Sequence, residues 1–276
     1  MPELPEVETV KESLKTLILG KTIHHVDILY EGIIHGTTKD YFSKRLENEI
    51  LMDIGRFGKF LFFRFSTITL ISHLRMEGKY FLKHSFELIA KHEHVIFHFT
   101  DGTSLRYHDT RKFGTMELVE PGNEFLMPNI LLMGPEPFDN QFNLSYLKSR
   151  IKSSIRPIKS FLLDQNNVSG LGNIYVDEVL FLSRVHPETQ VKNLSDSEIL
   201  KIIDSTQAVI NKAIELGGTT IRSYLSSLGI TGRFQNELNV HLRALKPCII
   251  CNTPIIKIKV GGRGTYICPT CQKRKG

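Results

Sequence analysis

The sequence predicts an α+β protein. An N-terminal β-sandwich carries a packed helix, a helical region follows, and a four-cysteine module built on a β-hairpin closes the chain. Three observations carry this. The chain opens on an apolar pattern of helical period, short β-branched and aromatic runs follow it, and every cysteine falls between Cys248 and Cys271.

Val7, Val10, Leu14, Leu17 and Ile18 repeat at helical spacing, so residues 5–20 read as a helix with Gly20 at its C-terminal cap. Over 22–119 the pattern turns to strands, as at 59–65, 67–74, 94–100 and 104–108, with Asp101-Gly102 a hairpin turn. Pro121-Gly122 and Gly134-Pro135-Glu136-Pro137 mark a linker. Beyond it Ser195-x-x-Glu198 is a capping box. The helix it starts, 196–216, turns Ile199, Ile202, Ile203, Val209, Ile210, Ala213 and Ile214 to one face and ends at Gly217-Gly218. A shorter helix begins near Asn173, after Val168-Ser169-Gly170-Leu171-Gly172. The predicted division is a sandwich domain over 1–120, a linker over 121–142, a helical domain over 143–240 and the cysteine module over 241–276.

With 41% apolar and 23% charged residues in 276, the composition is globular and excludes a disordered or fibrous chain. No apolar run reaches the ~18 residues of a membrane span. No basic segment leads into an apolar one at the start, so no secretory signal is expected. The expectation is a soluble intracellular protein. A net charge of +6 favours a polyanionic partner. Its distribution says more: 238–276 holds no Asp or Glu but does hold Arg243, Lys246, Lys257, Lys259, Arg263, Lys273, Arg274 and Lys275. Within it, Cys248-x2-Cys251-x16-Cys268-x2-Cys271 has the spacing of a structural zinc site, closed by four thiolates.

A small residue at position 2 allows Met1 to be removed, leaving Pro2 with a free secondary amine beside Glu3 and Glu6. An α-amine has a pKa near ~8 against ~10.4 for lysine, so its unprotonated fraction at neutral pH is on the order of a hundred times larger. Attack on a sugar C1′ would give an iminium, and the two carboxylates could move protons. Pro and Glu are also simply favoured at helix starts. Gly58-Lys59 could aim an ammonium at a phosphate or could be a solvated hairpin. Arg111 and Phe113 place a planar cation beside an aromatic in a turn, a pairing suited to insertion into a base stack. His92 and His94 share a face if extended, but no third metal ligand stands near them. Asn173 sits at a helix N-terminus, as an anion contact or as an N-cap. Arg263, at a hairpin tip in Gly261-Gly262-Arg263-Gly264, is read as a phosphate contact.

Together these segments resemble the formamidopyrimidine-DNA glycosylase family. The resemblance spans nearly the whole chain in order: PELPEVET, the GKF lysine, SHLRMEGK, KHEHV, RYHDTRKFG, SGLGNIYVDEVLF, GGTTIR, QNELNV and GGRGTYICPTCQ. It implies a β-sandwich catalytic domain, a helix-two-turn-helix domain and a zinc finger holding one structural zinc at Cys248, Cys251, Cys268 and Cys271. It implies a bifunctional DNA glycosylase and AP lyase that removes 8-oxoguanine and formamidopyrimidines from damaged double-stranded DNA. The protein would be a monomer in the bacterial cytoplasm, associated with the nucleoid. Pro2 would be the Schiff-base nucleophile, Glu3 the general acid, and Glu6 an aid to proton traffic. Lys59 would bind phosphate and aid β-elimination, and Arg263 would clamp a phosphate and aid δ-elimination. Met76, Arg111 and Phe113 would fill the gap left by the extruded base. His73, His92 and Asn173 would contact the backbone, and a segment including Thr220 and Tyr224 would cover the flipped base.

Three positions depart from the family pattern. Val240-His241-Leu242-Arg243 stands where Tyr-Gly is usual, Thr110 replaces a frequent proline, and Lys159-Ser160 replaces Lys-Pro. The nearest alternative is the endonuclease VIII type, which prefers oxidised pyrimidines. Leu4 after Glu3 and the Arg111-x-Phe113 wedge favour the purine enzyme. An inert zinc-finger DNA-binding protein would explain the charge and the cysteines but not Pro2 with Glu3 and Glu6.

Overall fold

The computed structural model describes residues 2–152, 154–219 and 232–274. The chain forms two compact units, one of Met1–Leu131 with Gly217–Gly232 and one of Leu132–Leu216 with Arg233–Gly276.

In the first unit, helix α1 (Leu4–Ile18) leads into β1 (Ile23–Ile28), β2 (Ile34–His35) and helix α2 (Lys39–Leu46). Seven strands follow: β3 (Leu51–Phe57), β4 (Phe60–Phe65), β5 (Thr69–His73), β6 (Lys79–His84), β7 (Glu93–Phe99), β8 (Thr103–His108) and β9 (Thr115–Val119). One sheet has the order β1-β7-β8-β6 and the other β2-β9-β5-β4-β3. Both sheets feed one core, to which Val26, Val95, Phe97 and Leu105 contribute from the first and Ile54, Leu61, Phe63 and Met116 from the second. Val7, Val10, Leu14 and Ile18 of α1 lie in the same core, so the periodic face read from the sequence is the buried one. Arg56 Nε donates to Glu8 Oε2 at 2.7 Å and ties α1 to β3.

The Asp101-Gly102 turn joins β7 to β8, with Gly102 at φ +81°. Helix α2 was not expected inside this strand region. It is short, capped by Thr38, whose Oγ1 accepts from the Tyr41 amide at 3.3 Å, and anchored by only Phe42 and Leu46. Two anchors one turn apart are too weak a period to stand out in the sequence.

Helix α3 (Pro128–Leu131) falls within the stretch expected as a linker. The second unit contains α4 (Leu144–Ile151), α5 (Ile158–Leu162), α6 (Asn173–Leu182) and α7 (Asp196–Glu215), then the hairpin of β10 (Ile256–Val260) and β11 (Arg263–Ile267). The capping box is present: the Ser195 amide donates to Glu198 Oε2 at 2.9 Å, and the Glu198 amide to Ser195 Oγ at 3.4 Å. The buried face of α7 is the expected one except at Ile214, which is partly exposed near the helix end, and it is joined by Thr206, whose hydroxyl donates back to the Ile202 carbonyl at 2.6 Å. No helix among the described residues is long and apolar enough to cross a membrane.

The departure at 240–243 has a visible local cost. Glu178, fully buried, accepts the amides of Asn239, Val240 and His241 at 2.8, 3.0 and 2.9 Å. The backbone must then turn through Leu242, which sits at φ +58° with its side chain half exposed. A leucine in this left-handed region costs roughly 1–2 kcal/mol, which glycine avoids. Leu242→Gly is therefore expected to raise the unfolding free energy by about 1 kcal/mol in urea titrations, because little packing is lost in exchange.

Candidate active site and nucleic-acid interface

Pro2, Glu3 and Glu6 are all buried at the start of α1. Glu3 is the N-cap, in extended conformation, and forms a reciprocal capping box with Glu6. Glu6 Oε2 accepts the Glu3 amide at 2.9 Å. Glu6 Oε1 accepts both the amide and the hydroxyl of Thr219, at 2.7 and 2.9 Å. Gly218, at φ +74°, lets the turn close on this carboxylate, since a Cβ there would lie 2.7 Å from Glu6 Oε1. One side chain thus fixes both the helix start that bears Pro2 and the beginning of the Gly217–Gly232 segment. Thr220 and Tyr224 of that segment lie outside the described residues.

Lys59 occupies the tight turn between β3 and β4, where Gly58 takes φ +56°. It is only 6% exposed, which excludes the solvated hairpin lysine allowed by the sequence. Arg56 shapes this turn by donating from its guanidinium to the Gly58 carbonyl at 3.1 Å. His73 faces Phe60 across the β4–β5 ladder, with the rings edge to face at 4.6 Å. Burial, and then the neighbouring Arg75 and Lys59 cations, push His73 down to about 3. Its Nδ1 accepts the Arg75 amide at 2.9 Å, so the neutral ring carries its proton on Nε2, as a donor suited to an anion.

Met76, Arg111 and Phe113 are exposed side chains on two neighbouring turns of the same unit. Asp109, fully buried, builds the second turn. Its Oδ1 accepts the Arg111 amide at 3.0 Å and its Oδ2 the Phe113 and Gly114 amides at 2.9 Å each. The Tyr107 hydroxyl fills the space beside both turns, where a Cβ on Gly78 or Gly114 would fall 2.3 or 1.6 Å from it. Thr110 and Glu77 join the turns by a side-chain hydrogen bond, so the residue in the usual proline position finds a partner of its own. Arg111 lies over the Phe113 ring at 4.7 Å, the cation and aromatic pairing expected from the sequence. Asp109 and Tyr107 were not singled out from the sequence. An aspartate two residues before Arg111 is a local Asx-turn signal that could have found the first; the second depends on tertiary packing.

His92 does not extend in line with His94. It sits at φ +74°, and its carbonyl accepts the Asp109 amide at 3.0 Å, which places it beside the turn that bears Arg111 and Phe113. His94 is spent on the Asp109 carbonyl at 2.9 Å, and the two histidines belong to no metal-competent cluster among the described residues.

In the second unit, Asn173 is the first residue of α6, not its cap; Gly172 takes the N-cap position. The Asn173 amide group donates to the Gly264 carbonyl at 3.0 Å, next to Arg263. Gly261 and Gly262, at φ +55° and +79°, make the two-residue hairpin loop, and Arg263 opens β11 with an exposed side chain. Beneath it, the fully buried Asp177 accepts Lys159 Nζ at 2.7 Å, pairs with His241 Nδ1 at 2.8 Å and accepts the Tyr266 amide at 3.3 Å. Lys159 also donates to the Gly264 carbonyl at 3.2 Å.

The four cysteine sulfurs all lie within 4.8 Å of one another, with three of the separations at 3.4, 3.6 and 3.9 Å. A tetrahedron with Zn–S of ~2.3 Å has edges of about 3.8 Å. The Ile250 and Cys271 amides donate to Cys248 and Cys268 Sγ, each at 3.4 Å. Burial, and then the crowding of the other three sulfurs, push Cys271 up to about 12, a repulsion that a cation relieves. The donor set fits one structural zinc.

His73 generates a pH prediction. Its folded-state pKa lies below the ordinary 6.5, so the unfolded chain binds the extra proton between pH 6.5 and about 3, and stability falls as pH falls through that window. His73→Phe should flatten this acid limb by up to about 1.4 kcal/mol per pH unit, read from urea midpoints at several pH values.

Three family models match in sequence. These are the formamidopyrimidine-DNA glycosylase N-terminal domain over 1–116, the formamidopyrimidine-DNA glycosylase H2TH domain over 133–225, and the zinc finger found in FPG and IleRS over 246–274. The chain is 48% identical over 276 residues to the formamidopyrimidine-DNA glycosylase of Bacillus subtilis, covering 100% of both. It is also 48% identical over 276 residues to that of Oceanobacillus iheyensis, covering 100% of this chain and 99% of the relative. Among solved structures, it is similar to a mutant of the Lactococcus lactis FPG in complex with a Fapy-dG containing DNA. That match has a TM-score of 0.93 and 42% identity, covering 99% of this chain and 100% of the other. The Lactococcus lactis Fpg held with abasic-site DNA matches with a TM-score of 0.92, the same 42% identity and the same coverage. The chain belongs to the formamidopyrimidine-DNA glycosylase family.

Proposed function

We propose that this chain excises oxidised purines, 8-oxoguanine and formamidopyrimidines, from duplex DNA through the Pro2 amine and then cuts the strand by β,δ-elimination. The full-length likeness to proteins solved with Fapy-dG DNA carries this reading. The buried Pro2–Glu3 start, held by Glu6, supports its chemical detail.

With Met1 removed, the Pro2 nitrogen attacks C1′ with its lone pair as the glycosidic bond breaks, and Glu3 supplies the proton that leaves with the base. The Pro2 nitrogen then gives up its proton, O4′ gains one as the sugar ring opens, and the adduct becomes an iminium with a free 4′-hydroxyl. That cation acidifies the C2′ proton, whose loss expels the 3′ phosphate; a second elimination expels the 5′ phosphate, and water releases Pro2. Glu6 acts chiefly by positioning Glu3 and Pro2. Lys59 and His73 bind phosphate beside the lesion, the first as a cation and the second as a neutral Nε2–H donor. Arg263 and Asn173 bind phosphate from the second unit. Met76, Arg111 and Phe113 replace the extruded base, and His92, in the turn before β7, contacts the phosphodiester backbone. Thr220 and Tyr224 cover the base. Extrusion costs roughly a few kcal/mol, which these phosphate contacts offset. One zinc bound by the four cysteines supplies no chemistry to the reaction; it folds the hairpin that carries Arg263. We assign the protein to the bacterial cytoplasm beside the nucleoid, acting as a monomer in the four regions 1–120, 121–142, 143–240 and 241–276.

One observation favours a broader lesion range. A Lactococcus lactis Fpg 41% identical to this chain, with a TM-score of 0.91, was solved with an oxidized pyrimidine containing DNA. Release of thymine glycol much faster than of 8-oxoguanine opposite cytosine would make the pyrimidine reading the correct one.

Protein whose N-terminal residue is verified as Pro2 by mass spectrometry should be trapped covalently on 8-oxoguanine duplex by borohydride. Pro2→Glu, whose large side chain at position 2 keeps Met1 in place and so leaves no free amine at that position, should lose the adduct while keeping its metal. Absence of an adduct with the parent protein, or full trapping of Pro2→Glu, overturns the assignment. Arg263→Ala should weaken DNA binding at every sequence and lower the salt slope by about one, with zinc content unchanged. Cys268→Ser should lose zinc and DNA binding together.

A further inference from the structure

Strand β1 is an edge strand, and its ladder with β7 is irregular between Ile23 and His25, where His24 is the extra residue. This bulge keeps Ile23 and Val26 on the core side, at 0% and 6% exposure, and leaves His25 and Asp27 together on the outer face. His25 lies directly opposite His98 of β7. Asp27 Oδ2 is 3.1 Å from His98 Nε2 and 4.0 Å from His25 Nε2. The two imidazoles stack face to face, with centroids 4.1 Å apart and planes 9° from parallel. They border an open depression of about 350 Å³ whose rim includes His24, Ser85, Thr100 and Gly102.

Asp27 hydrogen-bonds His98, and stacking brings His25 alongside, but at 4.0 Å the same carboxylate oxygen makes no hydrogen bond to the second imidazole. A cation at the point of convergence would bind all three groups. We propose that His25, Asp27 and His98 form a second metal site, separate from the four cysteines, that takes a divalent first-row ion such as Zn²⁺. Two imidazoles and one carboxylate suit zinc, copper or nickel, whereas calcium and magnesium want an all-oxygen shell. Bonds of ~2.0–2.2 Å place donor atoms about 3.3 Å apart. The three donor atoms lie within 4.8 Å, so rotation of the half-exposed His25 and Asp27 side chains completes the site around the more buried His98. Three protein ligands leave one tetrahedral position for water or an outside ligand at the depression. The bound ion clips the edge strand β1 to β7.

The test uses untagged full-length protein whose cysteine site already holds one zinc. Calorimetric titration with Zn²⁺ should show one further equivalent, and the thermal midpoint should rise with added Zn²⁺. His25→Asn and His98→Asn should each weaken that second equivalent by at least about tenfold and remove the thermal shift. Their circular dichroism should match the parent's, since both side chains lie outside the core cluster. Should either variant fail to fold, Asp27→Asn, nearly isosteric, gives the same readout. Saturation at one zinc per chain, or a second equivalent unchanged in these variants, overturns the proposal.

Discussion

The Glu6 carboxylate is the constraint on which the first unit's site depends. One oxygen caps α1 through the Glu3 amide, and the other holds the amide and hydroxyl of Thr219, 213 residues further along the chain. A helix start leaves several amides without partners, and a buried one without a partner costs about 1–3 kcal/mol. Glu6 therefore cannot be withdrawn without releasing both ends of this arrangement. The nucleophile assigned to Pro2 needs a fixed approach to one carbon atom, and misplacement by about 1 Å can cost a hundredfold in rate. Placing it at a capped, buried helix start is how a chain terminus, ordinarily its loosest point, becomes a rigid one.

The turn that carries Arg111 and Phe113, the proposed wedge, is built in the same way. Arg111 and Phe113 are exposed, yet the turn that bears them is held by the buried Asp109, and the space beside it is filled by the Tyr107 hydroxyl. Exposed side chains on a rigid base lose little backbone entropy when they enter a duplex. Gly78 and Gly114 follow from that packing, because no Cβ fits beside Tyr107 at either position.

Much of this was legible in the sequence where the signal is local. The α1 and α7 faces, the capping box at Ser195, the turn at Gly102, and the cysteine spacing all depend on residues a few positions apart. The motifs that mark the family lie in such segments. What the sequence did not yield depends on distance or on weak periodicity. The Glu6–Thr219 contact has no local trace. Helix α2 has only two buried apolar anchors. Asn173 looked like a cap because asparagine favours that position, but Gly172 takes it and frees the side chain to reach Gly264. The convergence of His25, Asp27 and His98 needs both a bulge and a strand pairing 71 residues apart.

The hairpin that carries Arg263 is held at two places, and each does a different task. Thiolates bound to zinc would fix the end bearing the cysteines, supplying free energy that so short a segment cannot gain from its own core. The other end rests on Asp177 and Lys159, both fully buried. A buried ion pair is a poor source of stability, since desolvation opposes the Coulomb attraction. Here, however, the pair also bonds the hairpin backbone at Gly264 and Tyr266, and His241 joins it at Asp177. The network thus sets the register of the hairpin on α6 more than its affinity. Slippage by one residue would turn Arg263 to the opposite face and leave two buried charges short of partners. His241 takes part where the family usually has tyrosine, so the departure at this hinge supplies a ring nitrogen to Asp177 while Leu242 bears the backbone strain.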